Sequence, residues 1–336
     1  MSARSPLPQR LFESFAGGTP PARPFHSGAG LAAQLGLSRS AIWKAVSSLR
    51  ELGIEIEALP RRGYRLAKPL TLLQADRVAA ALPPAIASRL QRGECLWSTD
   101  STNALLLARG QSQPGRFDYV TAEYQTAGRG RRGRTWIAPP GGAICLSWSW
   151  SFDVLPSQSG ALSLAIGVSA LRALDHCGVR GVGLKWPNDL LVDGRKLGGI
   201  LIELKSESGG PALVVVGIGL NVALSREVSE SVAASGTQAT DLWTLGANGL
   251  DRSALVAALL AAGVDTVLQF SREGLAPFLD EFREADALHG REVVVSGVQE
   301  TVHGTALGVD TDGALLLATA TGQRRFLSGE VSVRHT

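Results

Sequence analysis

Apolar residues in the first 66 positions recur at two spacings. Ile42, Val46, Leu49 and Leu52 stand at i, i+4, i+7 and i+10 of one helix face, with Ser38 placed to cap it, Gly36 in the turn before it and Gly53 as its stop. Shorter helices fit residues 8–15 and 30–35, the second capped near Ser27. The spacing then changes to two: Ile54, Ile56 and Ala58 alternate with Glu55 and Glu57, Pro60-Arg61-Arg62-Gly63 turns, and Tyr64-Arg65-Leu66 returns. Three helices followed by a hairpin predict a winged helix-turn-helix over residues 1–66.

After the linker Ala67-Lys68-Pro69, strand-like runs cover 118–123, 143–150, 183–186, 200–204 and 212–217. Pro83-Pro84 breaks an early helical stretch, and long helices fit 158–175 and 252–270. Strands this often adjacent, with few crossover helices, predict an α+β domain on a mixed or antiparallel sheet over residues 67–288. From 289 to 336 the strands are short (292–295, 304–309, 314–318, 325–327, 331–334) with Asp312-Gly313 as a turn, which predicts a small β-barrel.

At 336 residues and 45% hydrophobic, the chain can build a real core in more than one domain. The expected location is the cytoplasm, without membrane contact, because no apolar run reaches a span and the start lacks a signal core. Cys95, Cys145 and Cys177 are odd in number and far apart, so they are expected as buried hydrophobes rather than a disulfide or zinc set; none of the five histidines is assigned a role.

Charge changes the picture at the N-terminus. Residues 1–66 hold nine basic and four acidic groups, a balance of +5, and the other 270 sum to −2. A polyanion partner follows: Ser38, Arg39, Ser40 and Lys44 would face a DNA major groove while Arg61 and Arg62 reach phosphates, with protein contact as the alternative. Trp43 beside them is expected to pack. One such module reads a half-site, so operator binding requires a dimer.

The chemistry concentrates in Gly128-Arg129-Gly130-Arg131-Arg132-Gly133-Arg134. It satisfies G-x-G-x-x-G, with Asp153 downstream, but residues 136–142 (WIAPPGG) forbid the helix a dinucleotide turn must open. Four arginines among three glycines describe a loop that folds around a phosphate or binds nucleic acid. Of only five lysines, Lys185 and Lys196 both fall within residues 185–199, KWPNDLLVDGRKLGG.

With GRGRRGR, KWPND and GRKLGG together, the chain resembles bacterial biotin protein ligases that double as the biotin operon repressor. Asp100-Ser101-Thr102-Asn103 resembles that family's biotin-ring motif, and Gly217-Ile218-Gly219-Leu220-Asn221-Val222 its nucleotide-side turn. LGLSRSAIWK with RRGYRL is similar to its winged helix, and GEVSVR to the ending of its SH3-like barrel. The resemblance implies ATP-dependent formation of biotinyl-5′-adenylate and transfer of biotin to a lysine of the biotin carboxyl carrier protein of acetyl-CoA carboxylase. It places Ser101, Thr102, Asn103, Gln125, Arg129, Gly130, Arg131 and Lys196 on biotin, and Gly128, Arg132, Arg134, Asn188 and Asn221 on the nucleotide. Lys196, Arg129, Arg131 and Asp189 carry the chemistry, with Asp189 orienting Lys196 or taking a proton. No metal ligand is assigned: Mg2+ rides on the ATP phosphates near Asn221. Partners are the carrier protein, operator DNA and a second copy, in a homodimer promoted by the adenylate.

Two features depart from the family pattern. Residues 17–24 lengthen the first interhelix connection, and Trp243, the one tryptophan after Asn221, stands in a different context from the family's adenine-covering tryptophan. Competing readings are a winged-helix regulator whose body only senses a small ligand, and a lipoate-protein ligase.

Overall fold

The structure, a computed structural model, describes residues 5–16, 24–206, 211–234, 236–296 and 301–327, and the backbone of 332–335. The lengthened connection lies almost wholly outside the described residues.

At the N-terminus α1 (Leu7–Ala16), α2 (Gly28–Leu35) and α3 (Arg39–Glu51) enclose Leu11, Phe12, Leu31, Ile42, Val46 and Leu49, and β1 (Ile56–Leu59) pairs antiparallel with β2 (Gly63–Leu66) as the wing. The caps are those expected: Ser27 accepts from Gly30 N–H and Ser38 from Ala41 N–H, and Gly36 is left-handed. Trp43 is a correction. It does not pack but stands 61% exposed, because the buried stripe of α3 runs through Ile42, Ala45, Val46 and Leu49 and leaves 43 to one side.

The middle of the chain runs α4 (Ala75–Ala81), α5 (Pro84–Ala87), β3 (Leu90–Thr99), α6 (Thr102–Arg109), β4 (Phe117–Gln125), β5 (Ala143–Phe152), α7 (Leu162–His176), β6 (Gly183–Lys185), β7 (Asp189–Val192), β8 (Arg195–Ser206), β9 (Ala212–Asn221), α8 (Arg226–Ala234), α9 (Arg252–Glu273) and α10 (Leu279–Glu284). Its seven-stranded sheet has the order β3-β4-β5-β9-β8-β7-β6, with β3 and β4 parallel and every other pair antiparallel. Side chains alternate across β9: Val214 and Val216 enter the main core with α7 and α9, while Leu213 and Val215 meet Leu106 of α6 on the opposite face. Burial on both faces is why this strand reads as an unbroken apolar run. Helix α9 is long and apolar enough to span a bilayer, but 61% of that stretch is buried inside the protein, packed on α7 and α4.

The C-terminal strands β10 (Glu292–Ser296), β11 (Thr301–Val309), β12 (Leu315–Thr319), β13 (Gly322–Phe326) and β14 (Ser332–His335) lie in the order β13-β12-β11-β10-β14, all antiparallel. Among the described residues no ladder joins the two end strands, so the expected barrel is here a five-stranded sheet. Val293, Val295, Leu315 and Leu317 join the main core, and the Trp186 indole donates to the Gly313 carbonyl at 3.0 Å.

The winged helix is docked on the body. Phe12 of α1 touches Trp97 of β3, which meets Tyr124 of β4 edge-on, at centroid separations of 5.6 and 5.7 Å. The Arg226 N–H donates to Glu55 at 3.1 Å. Behind this seam lies an ion pair that the sequence did not reveal: Arg252 and Glu123, with side chains 2% and 3% exposed, meet at 2.9 Å. Arg252 also donates to the carbonyls of Thr71 and Ala143, while Glu123 accepts from the amides of Leu73 and Gly141. Four segments (linker, β4, the start of β5 and α9) are thereby held at one point; both Glu123 oxygens and both terminal nitrogens of Arg252 are hydrogen-bonded, while Arg252 Nε is buried without a partner.

Candidate active site

Two polar groupings lie where loops leave the sheet. The first is built on the N-terminus of α6, which Ser101 caps through Ala104 N–H. Both the N–H and the hydroxyl of Thr102 donate to Gln125 Oε1, at 2.7 and 3.1 Å. Ser147 of β5, absent from the sequence reading, lies 2.7 Å from the Thr102 hydroxyl and 2.5 Å from Asn103 Oδ1; its single proton serves one acceptor at a time. Asn103 donates to Leu201 O and Glu203, so both ends of its amide are engaged within the protein. It is not the helix cap. A hydroxyl inside a strand gives no sequence signal of its own, which is why Ser147 went unseen.

The second grouping is charged. A turn at Asp193 (φ 50°) and Gly194 (φ 73°) returns β7 into β8, and this hairpin sets Lys196 Nζ 2.6 Å from Asp189 Oδ1. The Lys196 backbone is clamped: its N–H donates to Gln238 O, its carbonyl accepts from Thr240 N–H, and the Asn221 amide donates to the carbonyls of Lys196 and Thr240. Asn221 thus positions Lys196 directly. Asn188, just before β7, donates to Ile200 O at 2.7 Å and accepts from Arg131 at 3.2 Å.

The arginine loop is closed on itself. Trp136 N–H bonds Gly128 O, Gly130 N–H bonds Arg134 O, and a tight turn at Arg131–Gly133 places Arg132 in the left-handed region at φ 55°. Only Arg131 turns inward, half-buried; Arg129, Arg132 and Arg134 are exposed. Burial lowers the Arg131 guanidinium from its ordinary value, helped by Arg132 and Arg134 and opposed by Asp189. A cationic group strained in this way gains most when an anion enters.

One motif needs correcting. Residues 217–221 are not a turn but the end of strand β9, and their glycines have another reason: a Cβ on Gly217 would stand 2.3 Å from Asn103 Oδ1, and one on Gly219 2.5 Å from the Trp136 ring. The Trp136 ring therefore lies against the strand at Gly219. Trp243 is elsewhere, half-buried on a cavity of about 790 Å³ that runs between α1, the linker and the 247–252 segment, away from Lys196. Of the three cysteines expected to be buried, Cys145 is, while Cys95 and Cys177 are only partly so; burial pushes the thiols of Cys95 and Cys145 up to about 12.

Residues 95–221 match the model of the biotin/lipoate A/B protein ligase family, 22–65 an HTH domain and 288–334 the biotin protein ligase C-terminal domain. The chain is 39% identical over 311 residues to the bifunctional ligase/repressor BirA of Escherichia coli, covering 92% of this chain and 93% of that protein. The chain belongs to the bifunctional biotin ligase/repressor family. To the Bacillus subtilis member it is 30% identical over 332 residues, covering 98% of this chain and 99% of that one. A biotin protein ligase from Aquifex aeolicus in complex with biotin and ATP superposes with a TM-score of 0.61 at 27% identity, over 73% of this chain and all of that one.

Proposed function

We propose that this chain activates biotin with ATP, transfers it to a carrier-protein lysine, and represses transcription by binding DNA when charged with the adenylate. The observation that carries the enzymatic reading is Lys196, clamped through its backbone and aimed at Asp189, with inward Arg131 held on Asn188 beside it.

In the first step a biotin carboxylate oxygen attacks the α-phosphorus of ATP, the bond to the β-phosphate breaks, and pyrophosphate leaves. Two anions must meet, so Lys196 and Arg131 hold the carboxylate and the α-phosphate, with Arg129 closing over them and Arg132, Arg134 and Gly128 toward the outer phosphates. The Thr102, Gln125 and Ser101 grouping binds the uncharged ureido ring, while Asn103 positions Ser147 behind it. Trp136 forms an apolar wall between the two halves. The side chains that would face the phosphates are arginines and amides, which suit phosphate oxygens rather than a cation, so magnesium would be held by the ATP phosphates near Asn221 and would supply neutralisation of their charge. In the second step the carrier lysine attacks the mixed-anhydride carbonyl, AMP leaves, and the proton passes to solvent or to Asp189.

On the DNA side, Ser38 caps α3, Arg39, Ser40 and Lys44 are exposed on it, and Arg61 at the wing tip is exposed in a left-handed conformation (φ 64°). Arg62 lies over the Phe25 ring at 4.5 Å. Two copies place two such modules on a palindrome, in the cytoplasm where the DNA, ATP and carrier are found. The division into residues 1–66, 67–288 and 289–336 follows these roles, with the last module a support for the active-site body.

Competition distinguishes biotin from lipoate. With both acids present, unlabelled biotin is expected to abolish adenylate formation from labelled lipoate and not the reverse; preferred lipoate would overturn the substrate assignment.

A further inference from the structure

The outer face of α3 carries a feature that phosphate binding does not use. Successive residues turn by about 100°, so Ile42, Ala45, Val46 and Leu49 point into the core and the opposite face is centred on Ser40 and Ser47, flanked by Trp43 on one side and Lys44 on the other. The Trp43 indole is 61% exposed, the most exposed tryptophan or phenylalanine among the described residues. Beyond the helix's own backbone bonds, the hydrogen bond shown at Trp43 is to its carbonyl, from the Ser47 hydroxyl at 3.2 Å, and no ring contact of the indole is seen among the described residues. Charge fixes the chemistry of the occupant. Lys44 lies on that face and the exposed Arg39 in the first turn on the Trp43 side of it, Arg61 stands on the wing beyond, and the helix has no acidic residue before Glu51. A large apolar ring inside a cationic frame suits a surface that is anionic at its rim and locally apolar at its floor.

The DNA major groove has that arrangement. Its rim is phosphate, and its only apolar group is the thymine 5-methyl. We propose that Trp43 is a specificity-determining residue that reads thymine by covering its methyl group in each half-site, while Arg39, Lys44 and the wing supply sequence-independent affinity. The proposal rests on the DNA-binding reading above. Burying one methyl-sized group is worth about 0.8 kcal/mol, a factor of about 4 in affinity.

The test uses the full-length protein with biotin, ATP and magnesium. Wild type selects its preferred duplex from a random-sequence library, and each thymine in that duplex is then replaced singly by deoxyuridine, which removes only the methyl. Wild type is expected to lose about 4-fold in affinity at one thymine per half-site, and Trp43→Ala to bind the two duplexes equally. Trp43→Ala lies outside the active site and should keep wild-type pyrophosphate exchange, which confirms a folded and charged protein. A methyl penalty of equal size in both proteins, no penalty in wild type, or a Trp43→Ala loss that is uniform over all sequences would overturn thymine reading and leave DNA binding standing. A wild-type protein that selects no sequence would overturn DNA binding itself, and the proposal with it.

Discussion

Lys196 and Asp189 form a pair whose value depends on what approaches it. Each side chain is about a fifth to a quarter exposed, so the contact contributes little as a stability element, but it fixes the ammonium in place, which on the proposed reading is before biotin's carboxylate and the phosphate arrive. Asp189→Asn keeps the shape and removes the charge that aligns Lys196. Steady-state adenylation should fall by about 10-fold or more, a barrier increase of about 1.4 kcal/mol, with little change in melting temperature; wild-type rates in both half-reactions would remove Asp189 from the chemistry. At this scale the sequence was most informative where a residue type is rare. A lysine-poor chain made Lys196 stand out, whereas Ser147 is a common type, and the places of Ser147 and Trp136 come from the register of β5 and β9 rather than from a local motif.

Hairpins and strands were legible when their turn chemistry was local. Asp193-Gly194 carries the expected hairpin signal, and reading it would have started β8 at Arg195 instead of residue 200. Residues 217–221 misled because glycines that make room for Asn103 and Trp136 resemble glycines that make a turn. The Glu123–Arg252 pair was invisible for a different reason: its partners are 129 positions apart, and neither lies in a motif. It joins the interdomain linker to the loop that follows the arginines, so it should matter to both. Glu123→Gln leaves the Arg252 charge buried without its partner and should destabilise the protein by about 3–5 kcal/mol, read as a lower urea midpoint. A change below about 1 kcal/mol would mean that the pair is hydrated in solution.

The whole molecule divides its charge by task. The first 66 residues carry +5 and the remainder −2, so the near-neutral total of +3 averages a basic DNA-facing module and a slightly acidic body that sets four arginines in one loop. If the wing arginine neutralises a phosphate in each half-site, Arg61→Ala should lower the slope of log affinity against log salt by about 2 per dimer, close to 0.9 for each lost contact. An unchanged slope would move Arg61 off the DNA. The domain order and catalytic motifs were legible because each is contiguous in sequence. The seam through Phe12, Trp97 and Tyr124 was not, since it brings three distant segments together.

The central claim is that one chain activates biotin on ATP using Lys196 and the inward arginine. Exchange of labelled pyrophosphate into ATP, with and without biotin, tests it most directly. Exchange should require biotin and fall about 10²–10³-fold in Lys196→Ala; well-folded wild-type protein that shows no exchange, or exchange indifferent to biotin, would contradict it.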